Sequence, residues 1–90
     1  MIRLISDPTV WAEHLRAGRR DEVCAWLQAN GLDPLAVLST HPTTIENTAA
    51  GPVIWCVVIE KDSAVPEQRT VPLVVPPPAH WPVHETAEQR

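Results

Sequence analysis

Hydrophobic positions in the first third of the chain recur at the spacing of an amphipathic helix. Two stripes of residues three or four positions apart stand out, namely Val10, Trp11 and Leu15, and then Val23, Trp26 and Leu27. Asp7 and Pro8 precede the first stripe and are typical of a helix start, whereas Gly18 interrupts the pattern between the stripes. The spacing therefore predicts a kinked helix or two short helices, of which the second spans about residues 20–30.

Signals for the end of this second helix follow at once. Asn30-Gly31 suits a C-terminal cap with glycine in the left-handed conformation. Asp33-Pro34 blocks continuation, because proline restrains the residue before it. Residues 35–38 fit either a further helical turn or an extended connector, and the pattern leaves both open.

The second half of the chain has the pattern of β-strands. The three candidate strands are TTIEN (43–47), VIWCVVIEK (53–61) and RTVPLVV (69–75), separated by turns. Pro72 cannot donate to a strand ladder, so the third strand belongs at a sheet edge or Pro72 faces outward. The expected fold is α+β, with one or two N-terminal helices packed on a three-stranded antiparallel β-meander.

The central candidate strand is apolar on both faces. Its two alternating sets are Trp55, Val57 and Ile59, and Ile54, Cys56 and Val58. Successive residues of a strand point to opposite sides of the sheet. The helices cover one side, so the other must meet the C-terminal tail, a second subunit or another protein.

A proline-rich segment follows the third strand. The prolines at 76–78 stop strand pairing and favour a polyproline II helix, and Trp81 comes shortly after them. We therefore divide the chain into a single α+β domain at residues 1–75 and an extended proline-rich tail at residues 76–90. Three states are open for the tail: packing within the chain or a dimer, docking in an aromatic groove of another protein, or disorder.

Charge and composition narrow the class of function. The 90 residues carry a net charge of −4, which argues against general nucleic-acid binding, because phosphate contacts need a surplus of lysine and arginine. No apolar run approaches the ~20 residues that cross a bilayer, and the apolar stretch at the N-terminus is too short for a signal peptide. Two cysteines do not make a disulfide framework. A cytoplasmic protein is the expectation.

Residues that could carry chemistry are sparse. His80 and His84 are four apart, but Pro82 between them disfavours the helix that would present both to a metal ion. Cys24 lies in the middle of a predicted helix, away from the helix N-terminus that would activate a thiolate. His14 lies on or beside the first apolar stripe and is expected to be a packed or boundary histidine. The sequence thus predicts no enzyme, no cofactor, no metal site and no small-molecule substrate.

One basic cluster supports an alternative function. Arg16, Arg19 and Arg20 lie near the junction of the two helical stripes. A small winged-helix-like DNA-binding regulator that contacts phosphates through them is therefore the alternative. The neighbouring Asp21 and Glu22, together with the acidic net charge, argue against it.

Three motifs, VCAWLQANGLDP, TTIE and RTVPLVVPPPAHW, together resemble a group of small proteins encoded in actinobacterial genomes and in their phages. Members pair a WL-ANG-(I/L)-P helix end with a strand pair and an RTVPL-VPPP-W finish. The resemblance covers about residues 20–81, and the turn between Lys61 and Arg69 is shorter here than in that group. It implies this organisation and a bacterial or phage origin, and it carries over no catalytic residue.

These observations predict a small non-enzymatic protein-interaction or structural accessory module, and the resemblance adds a phage or mobile-element setting. The expected partner is a second copy of the chain in a homodimer, or another protein. The residues predicted to make protein contacts are Trp81, Pro76, Pro77, Pro78, Val71 and Leu73. A purely structural role fits the same residues equally well.

Overall fold

A five-stranded antiparallel sheet and two helices make up the computed structural model, which describes residues 2–86 of the chain. The helices are α1 (Pro8–Arg16) and α2 (Arg20–Ala29), and the strands are β1 (Ile2–Ser6), β2 (Thr43–Thr48), β3 (Gly51–Val58), β4 (Glu67–Pro72) and β5 (His84–Thr86). The strand order is β4-β3-β2-β1-β5. The predicted α+β class is confirmed. The sheet contains β1 and β5 in addition to the predicted strands, and residues 87–90 of the predicted tail lie outside the described residues.

The two helices begin and end where local signals place them. The Asp7 side chain accepts a hydrogen bond from the Val10 backbone N–H at 2.8 Å and caps the start of α1. Gly18 (φ 71°) and Gly31 (φ 83°) follow the ends of α1 and α2 in the left-handed conformation that glycine adopts without strain. Of the two alternatives that the sequence left open, a kinked helix or two short helices, the chain forms two helices separated at Gly18.

The edge strand β4 accommodates a proline without losing a ladder bond. Antiparallel pairing aligns Val53 with Pro72, and the neighbouring Leu73 N–H donates to the Pro52 carbonyl at 3.0 Å. Because the backbone groups of successive residues face opposite sides of a strand, Pro72 faces away from β3. This outward direction is the one that the sequence predicted for a proline in an edge strand.

The two strands that the sequence did not predict, β1 and β5, lie at the end of the sheet opposite to β4. β1 pairs with β2 through Arg3 and Ile45, and with β5 through Arg3 and Glu85. β1 has only five residues and β5 only three, so neither carries the long β-branched run that marked β3. Both form because the fold brings distant segments alongside them.

The core lies between the helices and one face of β3. Its buried residues come from β1, α2, the loop after α2, β3 and the C-terminal segment: Ile5, Val23, Trp26, Leu27, Leu32, Ile54, Cys56, Val58 and Trp81. The presence of Trp81 shows that the segment after the prolines folds onto the helix side of the sheet. On the opposite face, Val57 is buried and Trp55 and Ile59 are half-buried.

His14, not Leu15, occupies the innermost position of α1. His14 is 2% exposed and Leu15 is 48% exposed, so of the two alternatives for His14 the structure has the packed one. The buried face of α1 therefore runs through Val10 and His14 and does not include Leu15. Arg19 Nε donates to His14 Nδ1 at 3.0 Å, which requires the tautomer with its proton on Nε2. That proton is donated to the Ile5 carbonyl oxygen, with Nε2 and the oxygen 3.1 Å apart. The histidine therefore joins α1 to β1.

Candidate functional site

A cavity of about 180 Å³ lies between the two helices and the segment that joins α2 to β2, and we call it the α2 cavity. Four residues of α2 line it, at the spacing of a single helix face: Arg20, Val23, Cys24 and Leu27. Trp11 of α1 and Ile5 of β1 add further apolar wall. A cavity with these walls favours an apolar group over a charged one.

Polar groups are few around the α2 cavity. Ser6 follows an irregularity in the β1–β2 pairing and lies opposite Thr43, and both residues line the cavity. Ser6 is 7% exposed, and its Oγ has no hydrogen-bond partner among residues 2–86. The Arg20 side chain is 65% exposed and lies 3.7 Å from the carboxylate of Asp21, which is 98% exposed. Such an exposed ion pair contributes little to stability, so the Arg20 guanidinium remains available to other anions.

The segment after α2 presents a leucine beside the cavity. Leu35 N–H donates to Asp33 Oδ1 at 2.9 Å, and Ala36 N–H donates to the Asp33 carbonyl at 3.0 Å, which closes a turn. Ile59 N–H donates to the Ala36 carbonyl at 2.9 Å and ties this turn to the end of β3. The sequence left two conformations open for residues 35–38, a further helical turn or an extended connector. The hydrogen bonds to Asp33 show that the first part of this segment is a turn. Leu35 lines the cavity and is nevertheless 92% exposed.

The proline-rich segment is anchored on α2 by side chains. Trp26 Nε1 donates to the Val75 carbonyl at 2.8 Å. Asn30 Oδ1 accepts from the backbone N–H groups of Val74 and Val75 at 2.7 and 2.8 Å. Further along, the Trp81 ring packs edge-on against Trp26, with ring centres 5.9 Å apart. These contacts hold the segment against the core.

A carboxylate at the start of α2 completes this anchor. Trp81 Nε1 donates to Glu22 Oε1 at 3.2 Å, and His80 Nε2 lies 2.6 Å from the same oxygen. The hydrogen bond from Trp81 lowers the pKa of Glu22 most, and His80 and Arg19 lower it further against the opposing effect of desolvation. The geometry is that of a surface hydrogen-bond network between α2 and the C-terminal segment.

The predicted protein-contact residues all lie on or near this anchored segment. Trp81 is 3% exposed, Val71 and Leu73 are half-buried against the core, Pro77 and Pro78 are half-buried, and Pro76 is exposed. In the described conformation Trp81, Val71 and Leu73 thus contribute to the core of their own chain, whereas Pro76 does not. Their role in contacts with another protein stays a prediction.

The remaining predicted residues do not form a common site in the described part of the chain. Arg19 is directed onto His14, while Arg16 and Arg20 are exposed. No set of three histidine, cysteine or acidic side chains within residues 2–86 is arranged to hold a metal ion. Over the same residues, neither helix is long and apolar enough to cross a membrane.

Of the residues that line the α2 cavity, the sequence had assigned only Arg20 to a possible site, and it had assigned neither Cys24 nor Leu35. The spacing of Arg20, Val23, Cys24 and Leu27 was visible as one helix face. The exposure of Leu35 depends on the turn at Asp33, for which the sequence left two conformations open. No family model, curated protein or solved structure matches the chain.

Proposed function

We propose that this chain is a small non-enzymatic interaction module whose α2 cavity accepts an apolar side chain of a partner protein. The observation that carries the proposal is an apolar cavity adjoining a leucine that is 92% exposed. A single exposed leucine is common on protein surfaces, but Leu35 adjoins the apolar walls of the cavity, and contiguous exposed apolar surface is a feature of protein–protein contacts. Interface energy concentrates where one side chain of a partner fills a pocket.

The dimensions of the α2 cavity suit one side chain. A cavity of about 150 Å³ with aliphatic and aromatic walls holds a benzene molecule, and the α2 cavity measures about 180 Å³. A leucine or isoleucine side chain has fewer carbon atoms than benzene and is therefore accommodated. A drug-sized ligand, which occupies pockets of about 300 Å³ or more, is not.

The chemistry of the cavity wall favours binding over catalysis. Among the described residues, those that line the cavity include neither a histidine nor a carboxylate. The Ser6 hydroxyl and the Cys24 thiol therefore have no general base beside them in the wall, and such a base is what activates these nucleophiles. Cys24 and Cys56 are free thiols, a state that suits the reducing cytoplasm in which we propose that the protein acts.

Alkylation of Cys24 provides the test. Cys24 lines the cavity, whereas Cys56 is 0% exposed in the core and serves as the internal control. Burying a leucine side chain contributes about 1.5–3 kcal/mol, which corresponds to a dissociation constant of about 5–80 mM. In dilute protein, N-acetyl-leucine amide at roughly 50 mM should therefore slow the reaction of Cys24 with iodoacetamide severalfold. N-acetyl-serine amide should leave the rate unchanged.

A pair of variants shows whether the effect comes from the cavity. Cys24→Phe places a ring in the cavity, and Ala25→Phe places the same ring at the next position of α2, where Ala25 is exposed. Binding of the leucine amide, followed by the NMR signal of the Trp11 indole N–H, should be lost only in Cys24→Phe. Equal rates of Cys24 alkylation with the leucine and serine amides would contradict the proposal.

A further inference from the structure

Resting on the proposed function, we infer that the partner is a second copy of this chain. In this two-fold symmetric dimer, Leu35 of each protomer fills the α2 cavity of the other. Four features support this dimer: the exposure of Leu35, the hydrogen bonds that fix its turn, its position beside the cavity and the charges around both.

Leu35 is held in place for such a contact before any partner arrives. Its backbone N–H is bonded to Asp33 Oδ1 at 2.9 Å, and the next residue, Ala36, accepts a hydrogen bond from Ile59 N–H at 2.9 Å. Ala36 itself packs against the core. A side chain on a turn fixed from both directions loses little backbone freedom on binding, which removes part of the entropic cost of association.

The position of Leu35 makes the contact self-complementary. Leu35 lines the α2 cavity of its own chain, so the protruding group and the receiving cavity belong to one surface patch. A two-fold axis through a patch of this kind brings each Leu35 to the partner cavity, and both contacts form together. A closed dimer follows, because each protomer then has its cavity filled.

The charges around the two elements have opposite sign. Asp33 lies two residues before Leu35 and is exposed, while Arg20 lines the cavity with a side chain that is 65% exposed. Insertion of Leu35 therefore brings an Asp33 carboxylate toward the Arg20 guanidinium of the partner. Each protomer carries both members of this pair, so a two-fold dimer forms the pair twice, in addition to the exposed Arg20–Asp21 pair within each chain.

Sedimentation velocity on four proteins tests the dimer. The native chain should sediment as a dimer that dissociates on dilution, and Leu35→Ser should weaken it roughly 100-fold or more, because two leucine contacts of at least tenfold each are lost. Cys24→Phe should weaken it similarly by closing the cavity. Val65→Ser is the matched control: Val65 is 66% exposed and is not a cavity residue, so this variant should dimerise normally.

Mixing the two defective variants gives the sharpest readout. Leu35→Ser removes one exposed rim residue but leaves the α2 wall of the cavity in place, and Cys24→Phe retains Leu35, so a mixed dimer keeps one of the two native contacts. The mixture should therefore associate more strongly than either variant alone. Absence of this recovery, or equal dimerisation of Leu35→Ser and the native chain, would overturn the inference. A chain that stays monomeric while N-acetyl-leucine amide still protects Cys24 would overturn the dimer and leave the proposed function standing.

Discussion

Replacing Asn30 with alanine removes the side chain that joins the end of α2 to the proline-rich segment. Asn30 is 5% exposed and makes four hydrogen bonds. Its Oδ1 accepts from the N–H groups of Val74 and Val75, and its Nδ2 donates to the carbonyls of Trp26 and Val75 at 2.9 and 3.1 Å. The side chain thus acts as a clamp between two segments more than 40 residues apart in sequence.

The expected loss follows from these four bonds. Each contributes about 1 kcal/mol net, and a buried group left unpaired costs more. Two features reduce the sum: Val74 is 70% exposed and Val75 is 38% exposed, so water reaches their N–H groups, and Trp26 Nε1 still donates to the Val75 carbonyl at 2.8 Å. We therefore expect Asn30→Ala to lower the free energy of unfolding by about 2–3 kcal/mol, or the melting temperature by about 10–20 °C.

Urea unfolding followed by tryptophan fluorescence measures this loss. Trp26 and Trp81 lie in the affected region, so the signal reports on the core beside the clamp. Gln28→Ala is the control, because Gln28 is an exposed residue of the same helix and should change stability by less than about 0.5 kcal/mol. A loss for Asn30→Ala as small as that of the control would refute the clamp.

Three further predictions concern the same side of the molecule. Trp81→Ala should lower the free energy of unfolding by about 3–5 kcal/mol in urea titrations, because Trp81 is 3% exposed in the core; a change below about 1 kcal/mol would show that the indole is not needed. Folding lowers the pKa of Glu22 below its usual value of 4.5, chiefly through the Trp81 hydrogen bond. The contribution of the Glu22 carboxylate to the free energy of unfolding is therefore present above pH 4.5 and is lost as the pH falls through the lowered pKa of the folded state. Glu22→Gln should therefore reduce the acid sensitivity of the melting temperature, and identical acid profiles would contradict this. Burial raises the pKa of the Cys56 thiol, so mass spectrometry after iodoacetamide treatment should find Cys24 modified and Cys56 intact until urea unfolds the chain; prior modification of Cys56 would count against its burial.

Features set by local sequence were predictable. The cap at Asp7 and the glycines at 18 and 31 act within a few residues of the helix ends, so the start of α1, the end of α2 and an interruption at Gly18 followed from local sequence, whereas the choice between a kinked helix and two helices did not. The nearly unbroken apolar run along β3 predicted a strand covered on both faces. One face is fully buried, with Ile54 and Cys56 0% exposed, whereas Trp55 and Ile59 on the other face are half-buried. In each case the determining interactions lie close together in sequence.

Features set by long-range contacts were not predictable. β5 consists of His84, Glu85 and Thr86, which have no strand pattern, and it pairs with β1 because the fold brings it alongside. The anchoring of the proline-rich segment depends on Asn30 contacting residues more than 40 positions away. The α2 cavity likewise depends on the turn at Leu35 lying beside α2. The sequence indicated the apolar face of α2 but not the segment that lies opposite to it.

In the proposed dimer, the apolar side chain that enters the α2 cavity is Leu35 of the second protomer. An isotope-filtered NMR experiment on an equal mixture of ¹³C-labelled and unlabelled chains tests it directly. We expect nuclear Overhauser effects between the Leu35 methyl groups of labelled protomers and the Trp11 indole protons of unlabelled partners. A dimeric sample in which the Leu35 methyl groups show no contact with the other protomer would contradict it.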